Sequence, residues 1–302
     1  MNLHPKSARH FYQIYKPKRR GLTTFACPLA NRSPPPANSA LKRHTFNSTN
    51  AVHKHKILPM NISNNKILIT GGATGIGLGL TERFIQENNT VIICGRRESA
   101  LKEVSDKFPS VITKVCNLSV AEEREALYQW VSENHPDLNV LVNNAGIQHW
   151  MSVSDPHFYV RAQAEIAINI EAPIHLSSLF IQLDSLTTIM NVSSGLSFVP
   201  LIKAPVYSAT KAFLHSFTLS LRQLLSSRNI EVIEIIPPAL NTDLGGKGLH
   251  DYAPPVSDFI AAIFEQLKAG KTELTFGFSE AMTKSGPEAL HQAFIRMNVP
   301  QA

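Results

Sequence analysis

The stretch Lys66-Ile67-Leu68-Ile69-Thr70-Gly71-Gly72-Ala73-Thr74-Gly75-Ile76-Gly77 decides how the rest of the chain is read. Its first five residues make a short, nearly continuous apolar run, the pattern of a central parallel strand covered on both faces. The run passes directly into glycines, and a helical pattern follows over residues 75–88. Strand, glycine-rich turn and helix N-terminus in that order place backbone amides where a pyrophosphate can be held. Glycine is needed there because a β-carbon would block the close approach. The spacing departs from the strict G-x-G-x-x-G, since Leu80 takes the third place when Gly75 is the first. A tight strand-to-helix turn with no ligand is the alternative reading of such a motif.

Outward from this turn, short β-rich runs alternate with helix-length segments. Strands are expected at residues 66–70, 90–94, 111–115, 139–142, 188–192, 231–236 and 273–275, and helices at 75–88, 98–107, 121–133, 158–183, 208–226 and 257–268. This βαβ rhythm predicts an α/β protein, with one doubly wound parallel sheet of about seven strands and helices on both faces. No internal repeat is visible, so residues 61–302 are expected to form one domain.

Composition agrees with a full-sized core: 302 residues with 43% hydrophobic and 17% charged side chains exclude a disordered chain and a disulfide-stapled mini-protein. No apolar run approaches the about 18 residues of a transmembrane helix. Three cysteines (Cys27, Cys94, Cys116) are too few for a disulfide framework, and a reducing, cytoplasmic setting is expected. The net charge of +6 is unevenly placed. Residues 1–60 hold eleven Lys and Arg and no acid, the first acid being Glu82, whereas positions 61–302 carry 18 basic and 23 acidic residues. The body is mildly acidic and gives no reason to expect nucleic-acid binding by it. Residues 1–60, with Pro34-Pro35-Pro36 and no periodicity, read as disordered. Three readings of them stand: an extension upstream of a start at Met60, an organellar transit peptide, or a basic tail for nucleic acid or anionic membrane.

At the end of the second expected strand, where an NAD-binding protein places an acid on the ribose hydroxyls, stands Gly95-Arg96-Arg97. A guanidinium offers a planar donor fork to a 2′-phosphate, so Arg96 points to NADP(H) over NAD(H). The alternative is a solvated helix start, although the macrodipole disfavours cations there.

Tyr207 and Lys211 lie four apart at a helix start and project from one face. An ammonium beside a phenol, together with a positive nicotinamide, favours the phenolate and makes a usable base. Tyr-x-x-x-Lys alone is mostly structural. Ser194, thirteen residues upstream in Asn191-Val192-Ser193-Ser194-Gly195, shifts the balance, because it follows a strand at the sheet end where open α/β proteins bind ligands.

With these residues in view, the chain from about Lys66 onward resembles the short-chain dehydrogenase/reductase (SDR) family, whose domain is Rossmann-like. The matching pieces are TGGATGIG at 70–77, NNAG at Asn143 to Gly146, Asn169, Ser194, YSATK at Tyr207 to Lys211, and Pro237-Pro238 followed by Thr242. The texture of NVSSGLSFVP, PVYSATKAFLHSFTLSLRQLL and IEVIEIIPPALNTDL is similar to the bacterial branch named after D-alanine esterification of teichoic acid, a label of lineage rather than activity. The resemblance implies Tyr207 as general acid/base, Lys211 on the nicotinamide ribose and lowering the Tyr207 pKa, Ser194 on the substrate oxygen, and Asn169 anchoring a water of the proton relay. It implies cofactor contacts from Thr70, Gly71, Gly75, Ile76, Gly77, Arg96, Asn117, Leu118, Asn144, Ala145, Gly146, Tyr207, Lys211, Pro237 and Thr242. Two positions depart from the family pattern. Asn117-Leu118 stands where an Asp usually borders adenine, and Pro238 replaces the common Gly after Pro237.

The function these readings predict is hydride transfer between NADP(H) and a carbonyl or secondary alcohol, in a homodimer or homotetramer with no metal. The rival is a non-enzymatic dinucleotide-binding sensor or scaffold on the same fold, which has no need of Ser194, Tyr207 and Lys211. Residues 240–256 read as a mobile substrate loop, whose Leu240, Leu244, Leu249 and Tyr252 suggest a partly apolar substrate. Gln148, His149 and Trp150 either border that pocket or pack at the surface.

Overall fold

The first strand, β1 (Lys66–Thr70), is buried from Ile67 onward because both its faces are covered, as its unbroken apolar run requires. In this computed structural model, which describes residues 59–299, β1 pairs in parallel with β2 (Thr90–Gly95) on one side and β4 (Val140–Asn143) on the other. With β3 (Ile112–Val115), β5 (Thr188–Val192), β6 (Glu231–Ile236) and β7 (Glu273–Thr275) they make a seven-stranded sheet in the order β3-β2-β1-β4-β5-β6-β7. Every neighbouring pair is parallel. The chain reverses its direction of travel between β1 and β4, and the crevice beyond the carboxyl ends of those strands is where such sheets take ligands.

Strand alternation divides the core in two. Ile67 and Ile69 face one layer, formed by α1 (Gly75–Gln86), α2 (Glu98–Lys107) and α7 (Val256–Lys268), in which Phe84 and Phe264 meet edge-on at 4.9 Å. Leu68 and Ile92 face the other, formed by α3 (Ala121–Asn134), α5 (Ala172–Phe180) and α6 (Pro205–Leu225). Each fully buried Phe or Leu contributes roughly 1.5–3 kcal/mol. Met60 and Ile62 pack against the first layer, and the Met60 amide donates to Glu231 Oε2 at 2.8 Å. The basic segment read at residues 1–60 otherwise lies outside the described residues, as does Cys27. Among the described residues no helix is long and apolar enough to cross a membrane.

The helix expected over 158–183 is three pieces: α4 (Phe158–Ile166), a π-helical stretch (Ala167–Glu171) and α5. Pro173 has no N–H to return to the carbonyl of residue 169, and the chain widens so that the Ala172 amide reaches Ala167 O instead. Helix α6 begins three residues early, at Pro205, whose fixed φ suits a first helical position. Two further helices, α8 (Phe278–Thr283) and α9 (Pro287–Asn298), were not expected. Each buries only one residue fully, Ser279 and Ala293; α8 is too short for a stripe, and the stripe of α9 (Leu290, Ala293, Phe294, Met297) is mostly half-buried.

Candidate active site

A cleft of about 770 Å³ runs along the carboxyl ends of the strands. At one end lies the glycine turn. Gly75 has φ +53°, a left-handed conformation that suits glycine, and a β-carbon on Gly77 would stand 2.1 Å from Gly71 O. Thr74 precedes α1 without a side-chain cap, so the first-turn amides face the cleft for an anion. Gly71, Gly75, Ile76 and Gly77 all line it. Thr70 does not. Its Oγ1 accepts from the Asn144 and Ala145 amides at 2.9 and 3.0 Å, while Asn144 Nδ2 donates to Thr70 O at 2.9 Å, so this pair clamps the glycine turn to the loop after β4.

Arg96 and Arg97 border the same end. Arg97 reaches Thr74 Oγ1 at 3.5 Å, and among the described residues no carboxylate pairs with Arg96. Asn117 and Leu118 line the neighbouring wall beside Cys94 and Cys116, which are free thiols. The Asn117 carbonyl oxygen already accepts from Ser119 Oγ at 2.9 Å and from the Ser119 amide at 3.2 Å, so its acceptor serves the turn into α3.

At the other end, Tyr207 and Lys211 on α6 line the cleft together with Ala145, Gly146 and Pro237. Ser194, at the end of β5, does not line it directly. Its Oγ accepts from the Leu196 amide at 3.1 Å and lies close enough to Tyr207 to act on its phenol. Lys211 Nζ donates to Val192 O at 2.7 Å and stands 5.6 Å from the Tyr207 ring centre. Burial holds the Lys211 ammonium down to about 8, against the charge of Glu234. Burial also pushes the Tyr207 phenol above its ordinary value, with Ser194 acting downward and Glu165 upward. That is opposite to the lowering by Lys211 expected from the sequence: the lysine gives its hydrogen bond to the main chain rather than to the phenol. Asn169, on the π-helical stretch, is buried behind these groups. Its Nδ2 donates to Ile147 O at 2.9 Å and Thr210 Oγ1 at 3.1 Å, and its Oδ1 accepts the Ile147 amide at 2.9 Å, so its side chain positions the loop after β4.

Comparison with known families is decisive at the level of family: residues 65–252 match the model described as short chain dehydrogenase. The chain belongs to the short-chain dehydrogenase family. It is 40% identical over 252 residues, 80% of this chain and all of the relative, to the uncharacterized oxidoreductase DltE of Bacillus subtilis. It is 29% identical to serine 3-dehydrogenase of Rhizobium radiobacter over 59% of this chain and 72% of that protein. A solved short chain dehydrogenase from Burkholderia cenocepacia, in complex with NADP, superposes with a TM-score of 0.69 at 25% identity, covering 80% of this chain and all of that one.

Within this short-chain dehydrogenase, packing sets three further groups behind the cleft wall, Glu234, His215 and Glu165, that the sequence reading passed over. Glu234 on β6 is fully buried. It accepts from Ser193 Oγ at 2.5 Å and lies 3.0 Å from His215 Nδ1, behind Lys211. The side-chain bond to Glu234 raises the His215 pKa. Glu165 on α4 is also fully buried and holds His149, which lines the cleft with Gln148. An acid inside a β-rich run and another on a helix interior carry no local signal, since their value depends on what other elements bring against them. In the loop after β6, Thr242 and Leu244 line the cleft, and Thr242 Cγ2 comes within 3.4 Å of where a Gly75 β-carbon would be. Leu240 is in the core, Leu249 packs on Gly245 and Gly246, and Tyr252 is 80% exposed, so Leu244 alone of the four expected apolar contacts faces the cleft. Trp150 is at the surface with Lys203 over its ring at 5.2 Å.

Proposed function

We propose that the chain is an NADP(H)-dependent oxidoreductase that interconverts a carbonyl and a secondary alcohol. The observation that carries this reading is Tyr207 and Lys211 lining one end of a cleft whose other end is the glycine turn with Arg96, with Ser194 behind them beside Tyr207. The cleft fits the cofactor: it has the volume of a nucleotide site, first-turn amides without a side-chain cap, and an arginine with no carboxylate across from it. Gly71, Gly75, Ile76 and Gly77 would take the pyrophosphate, Arg96 the 2′-phosphate, and Asn117, Leu118 and Ala145 the adenosine walls. Lys211, Gly146, Pro237 and Thr242 would border the nicotinamide ribose, while Thr70 and Asn144 hold the turn in shape. NADP(H) when bound supplies the hydride donor or acceptor.

The chain's own groups do the rest. Tyr207 Oη holds the proton that a reduced carbonyl oxygen needs and receives it back in oxidation, and Ser194 Oγ orients that oxygen. A phenol raised by burial is a weak acid that is scarcely ionised near neutral pH, so Lys211 and the positive charge of the oxidised nicotinamide must offset the desolvation. Asn169 keeps the loop after β4 in register with Lys211. The non-enzymatic sensor reading leaves this buried proton-transfer set without a task. Exposed apolar residues on α4 (Tyr159, Val160, Ile166) and α6 (Phe213, Leu219, Leu224) support a homodimer or homotetramer, and a monomeric mass by light scattering at micromolar concentration would contradict it.

The test is NADPH consumption by the purified protein over a panel of carbonyl compounds, with NADPH and NADH binding titrated in parallel. Turnover with some members and tighter NADPH binding are expected. NADPH binding without turnover anywhere on the panel would favour the sensor.

A further inference from the structure

Glu165 lies one helical turn before Asn169, and none of it meets solvent. Its Oε1 accepts the His149 amide at 2.5 Å and stands 3.2 Å from His149 Nδ1, while Oε2 has no partner among the described residues. The His149 ring is 37% exposed and lines the cleft. A carboxyl buried without Lys or Arg is unfavourable for folding, and what it holds is His149, by backbone amide and by ring. Oε1 already accepts the His149 amide, so it is the acceptor of the ring contact even when Oε2 carries a proton, and the ring proton then belongs on Nδ1. The lone pair of Nε2, on the far side of the ring from Glu165, is then left for the cleft.

The charges around the pair argue about what Nε2 would meet. Burial pushes Glu165 up to about 7, and burial, with Arg161 from the same helix, pushes His149 down. Arg161 is itself tied to Asp155 at 2.9 Å. From α6, Tyr207 is the titratable group that feels Glu165. Around neutral pH the pair carries a charge of zero or about minus one, because a net positive pair would need both groups protonated. Such a pair repels a carboxylate and accepts from a donor.

We propose that His149, oriented by Glu165, recognises a hydrogen-bond donor on the substrate, a hydroxyl or ammonium group borne near the carbon that changes oxidation state. The substrate class is then a hydroxy- or amino-substituted carbonyl or its alcohol, in place of a plain hydrocarbon ketone. His149 and Tyr207 line the same cleft, and Glu165, which holds His149, is near enough to Tyr207 to act on its phenol, so the donor would sit toward the chemical end. Glu165 is a positioning residue, acting through the ring.

This inference rests on the oxidoreductase reading, and two measurements separate their failures. The first compares kcat and KM of the wild type and variants for NADPH-dependent reduction of matched plain, hydroxy- and amino-ketones of one chain length. The wild type should favour a donor-bearing member by about tenfold in kcat/KM, mainly through KM, the effect of one well-made hydrogen bond. His149→Phe should bring that ratio to about one, and His149→Gln, with an amide oxygen to accept, should restore part of it. Glu165→Gln should weaken a preference for the amino-ketone and spare one for the hydroxy-ketone, which tells the two donors apart. Equal use of all three ketones by the wild type would overturn the inference and leave the oxidoreductase reading standing. Absence of any turnover would overturn both. The second measurement needs no turnover: nitrogen NMR of the histidines, with His149 assigned by its loss in His149→Phe, should show the proton on Nδ1. A proton on Nε2 would overturn the geometry on which the inference stands.

Discussion

The two ends of the cleft are built from different materials. The phosphate end is mostly backbone: a glycine turn with φ +53° at Gly75 and first-turn amides, with the exposed Arg96 and Arg97 beside them. The chemical end is made of ionisable groups, the buried Lys211, Glu234 and Glu165 and the half-buried His215, with a phenol among them. Backbone can bind an anion with little penalty for ionisation, whereas each buried ionisable group holds its proton only as its neighbours allow. Substitutions at the first end should therefore change affinity, and those at the second should change stability and pH dependence together.

Glu234→Ala carries the largest expected effect. It leaves His215 and Lys211 without their buried counter-charge, and a loss of about 3–5 kcal/mol in denaturant unfolding is expected. A loss below about 1 kcal/mol would mean that the chemical end does not depend on buried charge. Arg96→Asp comes next. It removes a charge-assisted contact and adds repulsion, so NADPH binding should weaken roughly ten- to hundredfold, or about 1.5–3 kcal/mol, with little change in stability. Equal NADPH and NADH affinities in both wild type and variant would break the assignment of the phosphate end. The smallest effect is a pH dependence. The folded pKa of His215 is raised, so its contribution is fully present below its unfolded value of about 6.5 and is lost as pH rises through the folded value. The stability difference between wild type and His215→Phe should accordingly be greatest on the acid side and shrink above neutrality, as read by unfolding midpoints at several pH values.

The same contrast explains what was legible in the sequence. The seven strands and the glycine turn declare themselves locally, since an apolar run followed by glycines specifies backbone geometry wherever it occurs. Tyr207 and Lys211 were legible because four residues on one helix fix their relation, and Ser194 because it closes a strand. Glu165 and Glu234 were not: Glu165 gains its meaning from His149, 16 residues away, and Glu234 from Ser193, 41 residues away. The break of the long middle helix was written in Pro173, but apolar periodicity continues across it and hides the π-helical stretch that carries Asn169. Of the substrate loop, composition showed four apolar residues and could not show that Leu240 turns into the core.

The central claim is that Tyr207 moves the proton at a site where NADP(H) binds independently of it. NADPH titration and steady-state reduction of one accepted carbonyl compound by Tyr207→Phe test it most directly. The account predicts NADPH affinity close to that of the wild type, with turnover lower by about 10²-fold or more, the scale of general acid catalysis. A Tyr207→Phe protein that reduces the same compound at near the wild-type rate would contradict it.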